Sequence, residues 1–289
     1  MKKSLTLLIA VAGLALVAWG LDRESSLEDK TILPRLSFDK SADRIDVDFE
    51  GKAVELVKDE NSWKIKEGDD LYPSDEPAVH DVTKTLSKLE LQDIVSKNKD
   101  RYAEFGFEEV GAVSVSWFEG ETKKGAVYIG GQYYARGGDY LRIGEEGAVY
   151  ITKNHIRSVF ARGSFKDTRL AAVSDTGLVS KIAWEYPKDA SSITLVKKTG
   201  VDGVWVFEGD ENKSVNQAAS QAVAGYLATL KAEDVIKYDA NFDYGFNAPA
   251  LTLRITIDGK EETVMIGKQP SEASPYYARV SGKDGWVYL

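Results

Sequence analysis

Tyr133-Tyr134-Ala135-Arg136 recurs unchanged at Tyr276-Tyr277-Ala278-Arg279. Each copy follows an apolar run ending in Ile-Gly (Ile129-Gly130 and Ile266-Gly267), and each precedes a Val-Tyr pair (Val149-Tyr150 and Val287-Tyr288). Three landmarks in one order, twice, indicate an internal duplication, and a duplicated unit decides the architecture before any single element is assigned. Further out, Trp63 matches Trp205, and Phe105-Gly106-Phe107 matches Tyr244-Gly245-Phe246. The matched positions lie 137 to 143 residues apart, a drift that changes in loop length account for. Units of that size are domains rather than solenoid repeats, so two homologous lobes are expected.

Each lobe reads as sheet with one helix. Ile45, Val47 and Phe49 alternate with Asp46, Asp48 and Glu50, the pattern of a half-buried strand. Turns at Glu50-Gly51-Lys52 and Asp59-Glu60-Asn61 extend it into a three-stranded meander that ends at Trp63-Lys64-Ile65. Val79, Val82, Leu86 and Leu89 then recur at helical spacing, with Pro77 in the first turn, where its missing N–H costs nothing. In the second lobe Ser214 and Gln217 have capping-box spacing, and Ala219, Val223, Tyr226, Leu227 and Leu230 supply an apolar stripe.

A short strand follows each helix (93–96 and 234–238), then a turn around Gly106 or Gly245, then a hairpin. The first hairpin pairs 112–118 with 124–129. The second pairs 251–257 with 262–266 across Asp258-Gly259-Lys260, and Asp-Gly between alternating runs is a strong hairpin signal. The lobes are joined by a helical stretch at His155–Phe160 and an irregular segment. The sequence ends at Leu289, soon after the second Val-Tyr pair, whereas the first lobe continues into that helix, so the second lobe reads as the shorter one. The expected class is α+β, each lobe a mostly antiparallel sheet with one packed helix.

Composition narrows the function classes. The chain is 43% hydrophobic and 29% charged, as in ordinary globular proteins, and its net charge of −9, with no basic cluster to offset it, argues against nucleic acid, whose binding needs a basic face. The absence of cysteine removes disulfides, thiolate metal sites, cysteine nucleophiles and a lipidated N-terminal cysteine together. Lys2 and Lys3 precede an uncharged apolar run from Leu5 to Gly20, which reads as a secretion signal. Its length and the interfacial Trp19 favour an uncleaved anchor over cleavage at Ala18-Trp19-Gly20, with the two lysines inside and the rest exported. The expected layout is therefore a signal anchor at 1–21 and a polar tether at 22–41. A first repeat with its connecting helix follows at 42–175, and a second repeat at 176–289.

The tethered N-terminus, the Trp-x-Ile/Val strands, the turn Tyr244-Gly245-Phe246-Asn247-Ala248-Pro249, the Ile-Gly strand ends, the Tyr-Tyr-x-Arg segments and the Val-Tyr strands together resemble the bacterial DUF4340 family, over nearly the whole exported part. The first copy departs from that pattern at Phe105-Gly106-Phe107-Glu108-Glu109-Val110, which lacks the proline. The resemblance implies no established activity. Genes of that family often lie beside those of ABC-type transporters resembling gliding-motility components, so it implies an extracytoplasmic accessory to such a complex.

Residue chemistry points to no reaction. The sequence has no Gly-x-Ser-x-Gly, His-Glu-x-x-His, phosphate loop or dinucleotide fingerprint. His80 and His155 occupy helical stretches among charges, at non-equivalent points of the repeat, and read as surface residues. Asp46, Asp48 and Glu50 read as a solvated strand face. Asp239–Gly245 imitates a calcium loop but lacks its glycine and glutamate positions. The best candidate for specific contact is the repeated tetrapeptide. On a strand, Tyr134 with Arg136, and Tyr277 with Arg279, would share an outward face, and Tyr and Arg are enriched at interfaces and in sugar-binding surfaces. The bland alternative is that these side chains complete each core, as Trp63 and Trp205 are expected to do. The expectation is a non-enzymatic, cofactor-free, membrane-anchored scaffold or accessory protein outside the cytoplasm, with ABC-type transporter subunits as partners. An envelope glycan-binding module is the alternative, and an envelope hydrolase has the least support.

Overall fold

A computed structural model describes residues 33–36, 38, 41–108, 111–135, 137–171, 175–198 and 203–289. The apolar run at 5–20 and Arg136 lie outside the described residues. Among the described residues no helix is long and apolar enough to cross a membrane.

Lobe one is a nine-stranded sheet of β1 (Arg44–Phe49), β2 (Lys52–Asp59), β3 (Ser62–Glu67), β4 (Asp70–Pro73), β5 (Leu91–Ser96), β6 (Val113–Glu119), β7 (Thr122–Gln132), β8 (Asp139–Ile143) and β9 (Val149–Thr152). Helix α1 (Glu76–Ser87) separates β4 from β5, and a short α2 (Arg157–Phe160) follows β9. Lobe two is an eight-stranded sheet of β10 (Val179–Tyr186), β11 (Ser191–Lys197), β12 (Trp205–Phe207), β13 (Val235–Lys237), β14 (Leu251–Ile257), β15 (Lys260–Ile266), β16 (Ala278–Val280) and β17 (Trp286–Tyr288), with α3 (Gln217–Thr229) between β12 and β13.

The strand orders are β4-β3-β2-β1-β6-β7-β8-β9-β5 and β12-β11-β10-β14-β15-β16-β17-β13. They are the same order apart from β4, and every pairing is antiparallel. The registers coincide as well. Ile45 lies between Leu56 and Trp117, as Ile182 lies between Leu195 and Ile255. Leu56 faces Ile65 and Leu195 faces Phe207, which puts Trp63 and Trp205 in one place in the two sheets. Trp205 is fully buried, while Trp63 is half-buried against the first core.

Alternation sets one face of each sheet against its helix. In lobe one Ile45, Leu56, Val115, Val127 and Ile129 meet Val79, Val82 and Leu86 of α1. Each such side chain contributes about 1.5–3 kcal/mol on full burial. Asp75 caps α1 by accepting from the Ala78 N–H. The second helix departs from the capping-box expectation. Asn216, not Ser214, is its cap, accepting from the Ala219 N–H at 3.1 Å. Gln217 instead clamps the Trp205 backbone, accepting from its N–H and donating to its carbonyl, both at 2.7 Å. The expected stripe is also displaced: Ser220, Ala224 and Leu227 are buried, whereas Tyr226 is 73% exposed.

The tetrapeptides that disclose the duplication are not equivalent in space. Ile129 pairs with Leu141 and Ile266 with Ala278. Tyr277-Ala278-Arg279 therefore corresponds to Tyr140-Leu141-Arg142. In lobe one the chain turns tightly after β7, the Tyr133 N–H donating to the Gly138 carbonyl at 2.9 Å. The connection from Ile266 to Ala278 is as long as that from Ile129 to Leu141, but the tetrapeptide lies at its far end, so the same four letters fall on a turn in one copy and at a strand entry in the other.

Candidate interaction surfaces and buried charge clusters

On the sheet face away from each helix lies an aromatic clip, and it fixes the Tyr and Arg positions. A 3₁₀ turn at Lys99–Phe105 ends in Gly106, whose φ of 75° is left-handed; Gly245 repeats this at 81°. These turns press a carbonyl onto a strand end. A β-carbon on Gly130 would stand 2.2 Å from the Phe105 oxygen, and one on Gly267 would stand 2.1 Å from the Tyr244 oxygen. Both positions therefore require glycine for close approach. Tyr140 packs edge-on to Phe105 at 5.0 Å, and Tyr277 packs edge-on to Tyr244 at the same distance. Burial, with the neighbouring Tyr133 adding to it, raises the Tyr140 hydroxyl pKa.

The expected outward Tyr/Arg face is thus not assembled in lobe two. Tyr277 points into the clip beside Phe242 and Tyr244, and the exposed tyrosine is Tyr276. Arg279 lies over the Tyr238 ring at 5.1 Å and pairs with Asp284 at 3.0 Å. Its counterpart Arg142 lies over Tyr128 at 4.3 Å and Tyr102 at 4.5 Å, so this strand arginine serves cation–π packing in both lobes. In lobe one Tyr134 sits on the turn, 83% exposed, while Tyr133 packs against Tyr140.

Two buried charge clusters went unrecognised in the sequence. Asp139, at the start of β8, is completely buried. One carboxylate oxygen accepts from the Ile156 and Arg157 N–H groups at 2.6 and 2.7 Å, the other from His155 Nδ1 at 3.0 Å. The Gly138 N–H donates to His155 Nε2 at 3.4 Å, which assigns the imidazole proton to Nδ1. Thr152 Oγ1 accepts from the Asp139 N–H and donates to backbone carbonyls. His155 is therefore half-exposed but tied down, not a free surface residue. The carboxylate–imidazole pair reaches, through His155 alone, a 360 Å³ cleft lined also by Lys84, Lys88 and Glu90. Its partners are nevertheless backbone amides and carbonyls, and its role is to cap α2 from a distance, since Ile156 has no capping side chain. The only local signal was an aspartate next to two glycines.

The second cluster joins the lobes. Lys166, with its side chain 6% exposed, pairs with Glu67 of lobe one at 2.9 Å and Asp234 of lobe two at 3.2 Å, over the Tyr72 ring. Burial presses its pKa down, but hydrogen bonds and charge from the two carboxylates outweigh this, and the net shift is upward. Alongside, Tyr72 packs on Trp286 at 5.0 Å and Lys237 pairs with Asp70. Asp167 accepts from Arg169 at 2.7 Å and pairs with Lys283 at 3.3 Å. Burial raises the Asp167 pKa, yet these cations prevail and hold it below the ordinary carboxylate range. Desolvation pushes the buried Tyr288 hydroxyl far up.

The other carboxylate-rich stretches have local explanations. Asp239 and Asp243 accept from the N–H groups of Asn241 and Gly245, which makes this segment a pair of Asx turns. Asp46 lies beside Arg44 at 3.3 Å on a half-buried strand, and burial is the main cause of its raised pKa.

Comparison with known proteins adds one result. No curated protein and no solved structure matches the chain. A family model does match, over residues 63–203 and 205–289, and its two segments begin at the two tryptophans that share one place in the sheets. The chain belongs to the family described as "Domain of unknown function (DUF4340)" and carries it twice.

Proposed function

We propose that this protein is a membrane-tethered, non-catalytic scaffold or accessory subunit whose two-lobed body lies outside the cytoplasm and engages a membrane complex of the ABC-transporter class. The observation that carries the non-catalytic part is the use made of buried charge. Asp139 caps a helix, Lys166 bridges two lobes and Asp167 holds the adjoining strap. Each therefore serves to fix backbone or lobe geometry. The tether rests on the N-terminal pattern of Lys2-Lys3 followed by an uncharged apolar run. The transporter partner rests on the family resemblance.

The test is chemical crosslinking of the full-length protein in native membranes, followed by mass spectrometry of the partners. Subunits of an ABC-type transporter are expected to be enriched over a tethered control protein. Their absence overturns the transporter reading. The chain's lack of cysteine permits a companion topology test. A single Glu272→Cys substitution is expected to react with a membrane-impermeant maleimide in intact cells, and protection from the reagent contradicts export.

A further inference from the structure

The two lobes share a sheet but not what covers it. In lobe one the segment after β9 runs back along α1 and closes the core: Ile156, Phe160 and Phe165 are all buried in it. The segment is also stitched to the start of α1. The Asp75 N–H donates to the Phe165 carbonyl and the Asp167 N–H to the Pro73 carbonyl, both at 2.8 Å. Under this cover Val47, Leu56 and Ile65 are 1%, 0% and 2% exposed.

By register, the same three places in lobe two hold Trp184, Leu195 and Phe207, and Ile193 stands where lobe one has Val54. Among the described residues Lys213 Nζ lies over the Phe207 ring at 4.4 Å and Leu195 is buried, but lobe two has no counterpart of the short helix Arg157–Phe160. Ile193 is 48% exposed and Trp184 and Phe207 are half-buried. They line an apolar groove of about 480 Å³ that runs under the first half of α3, with Val223 on its helical wall. Ser214, Val215 and Asn216 form its rim. These residues match the Pro73–Asp75 stretch to which lobe one's covering segment is stitched.

We propose that this groove is the docking site for a segment of a separate partner polypeptide built like lobe one's own cover. That segment would have a short helical turn with apolar residues at Ile-x-x-x-Phe spacing, then an extended stretch reaching a second phenylalanine. Lobe one shows the chemistry this surface accepts. A second copy of this chain cannot lend its own segment, because Phe160 and Phe165 are 0% and 1% exposed and anchored through Asp139. Tyr186 lies at the groove's edge, in the place of Phe49, over which Arg157 of the covering segment sits at 5.8 Å. A basic residue following the first apolar position of the partner therefore has a ring to meet. The proposal concerns a surface and its ligand chemistry, and does not depend on which membrane complex the protein serves.

The experiment uses a fluorescein-labelled peptide of residues 154–166 as the probe and the full-length protein in detergent as receptor, read by anisotropy. Saturable binding is expected, weakened roughly tenfold or more by Ile193→Asp, the scale of a lost hot-spot contact. Val223→Arg on the opposite wall should act alike, with both variants keeping the parent's melting temperature. Phe160→Ala with Phe165→Ala in the peptide should abolish binding, while Tyr134→Ala in the protein should leave it unchanged. Absence of binding, or binding that neither groove variant weakens, overturns the proposal. So does concentration-dependent self-association lost in Ile193→Asp, which would assign the groove to a second copy.

Discussion

Gly267 and Gly130 give the sharpest test of the duplicated clip. An alanine β-carbon at Gly267 would stand 2.1 Å from the Tyr244 oxygen, whereas carbon–oxygen contacts settle near about 3.3 Å. Strand and turn must part by roughly 1 Å, and the Tyr244 carbonyl also accepts from the Lys268 N–H at 2.9 Å, a bond that such a shift breaks. The lost hydrogen bond costs about 1 kcal/mol, and the overpacking adds about 1–3 kcal/mol. Against this, alanine restricts the unfolded chain and returns about 0.4–1 kcal/mol. Gly267→Ala should therefore destabilise by roughly 1–3.5 kcal/mol, and Gly130→Ala, at 2.2 Å from the Phe105 oxygen, by a comparable amount. Gly285→Ala is the control, because a β-carbon there meets nothing within 4 Å. The assay is urea unfolding of the full chain, read by tryptophan fluorescence. A Gly267→Ala midpoint equal to that of Gly285→Ala would show that the close approach is not a constraint, and the equivalence of the two clips would fall with it.

Three further outcomes follow from the junction and the aromatic clip. Lys166→Met keeps the apolar stem but strands Glu67 and Asp234; because both carboxylates are about half exposed, solvent recovers part of the loss, and a destabilisation of about 1–2 kcal/mol is expected. The same substitution should make the inter-lobe strap around 161–171 cleavable in limited proteolysis, and an unchanged digestion pattern would contradict its role as a joint. Asp167 has a depressed folded pKa, so its stabilisation is present above the unfolded value of about 3.9 and is lost as pH falls through the lower folded one. Wild type should lose stability below about pH 4 more steeply than Asp167→Asn, and parallel acid titrations would refute the pairing. Finally, Tyr277→Ala should cost about 2 kcal/mol through the clip, whereas Tyr134→Ala on the open turn should stay within about 0.5 kcal/mol; equal effects would mean the two tyrosines are not differently packed.

Much of the fold was legible because its strands alternate and its turns carry their own chemistry. Asp258 and Gly259 both adopt positive φ, as a two-residue hairpin turn demands, and the sequence shows that directly. What escaped depends on contacts between distant parts of the chain. Asp139 caps amides 17 and 18 residues later, and Lys166 reaches Asp234 68 residues on, so neither has a local pattern. The cap of α3 was misplaced because Ser214 and Asn216 are both competent and only the fold chooses, by drawing Gln217 onto the Trp205 backbone. The tetrapeptide correctly signalled duplication yet misregistered it, since the same four letters sit near the start of the Ile129–Leu141 connection and at the end of the equally long Ile266–Ala278 one. The Tyr/Arg alternation argument failed in lobe one because it presumed a strand where Tyr134 lies on a turn; in lobe two Ala278 does face the core, but the aromatic clip covers Tyr277 and Arg279 on the other side.

The asymmetry between the lobes bears most on function. Packing of sheet, helix and aromatic clip is common to both copies, as the paired glycines and edge-on rings show. The position that in lobe one holds the buried capping carboxylate Asp139 holds the exposed Tyr276 in lobe two. The device that fastens a cover over the core therefore belongs to lobe one alone among the described residues. Leu36 and Phe38, the described end of the N-terminal segment, also pack on lobe one. The chain thus enters through the closed lobe, crosses a junction fixed by Lys166 and the Tyr72–Trp286 contact, and presents the open groove on the far lobe. Under the proposed tether and docking groove, that arrangement separates attachment from recognition. Loosening the junction should then change the groove's position relative to lobe one without altering its affinity for a soluble peptide.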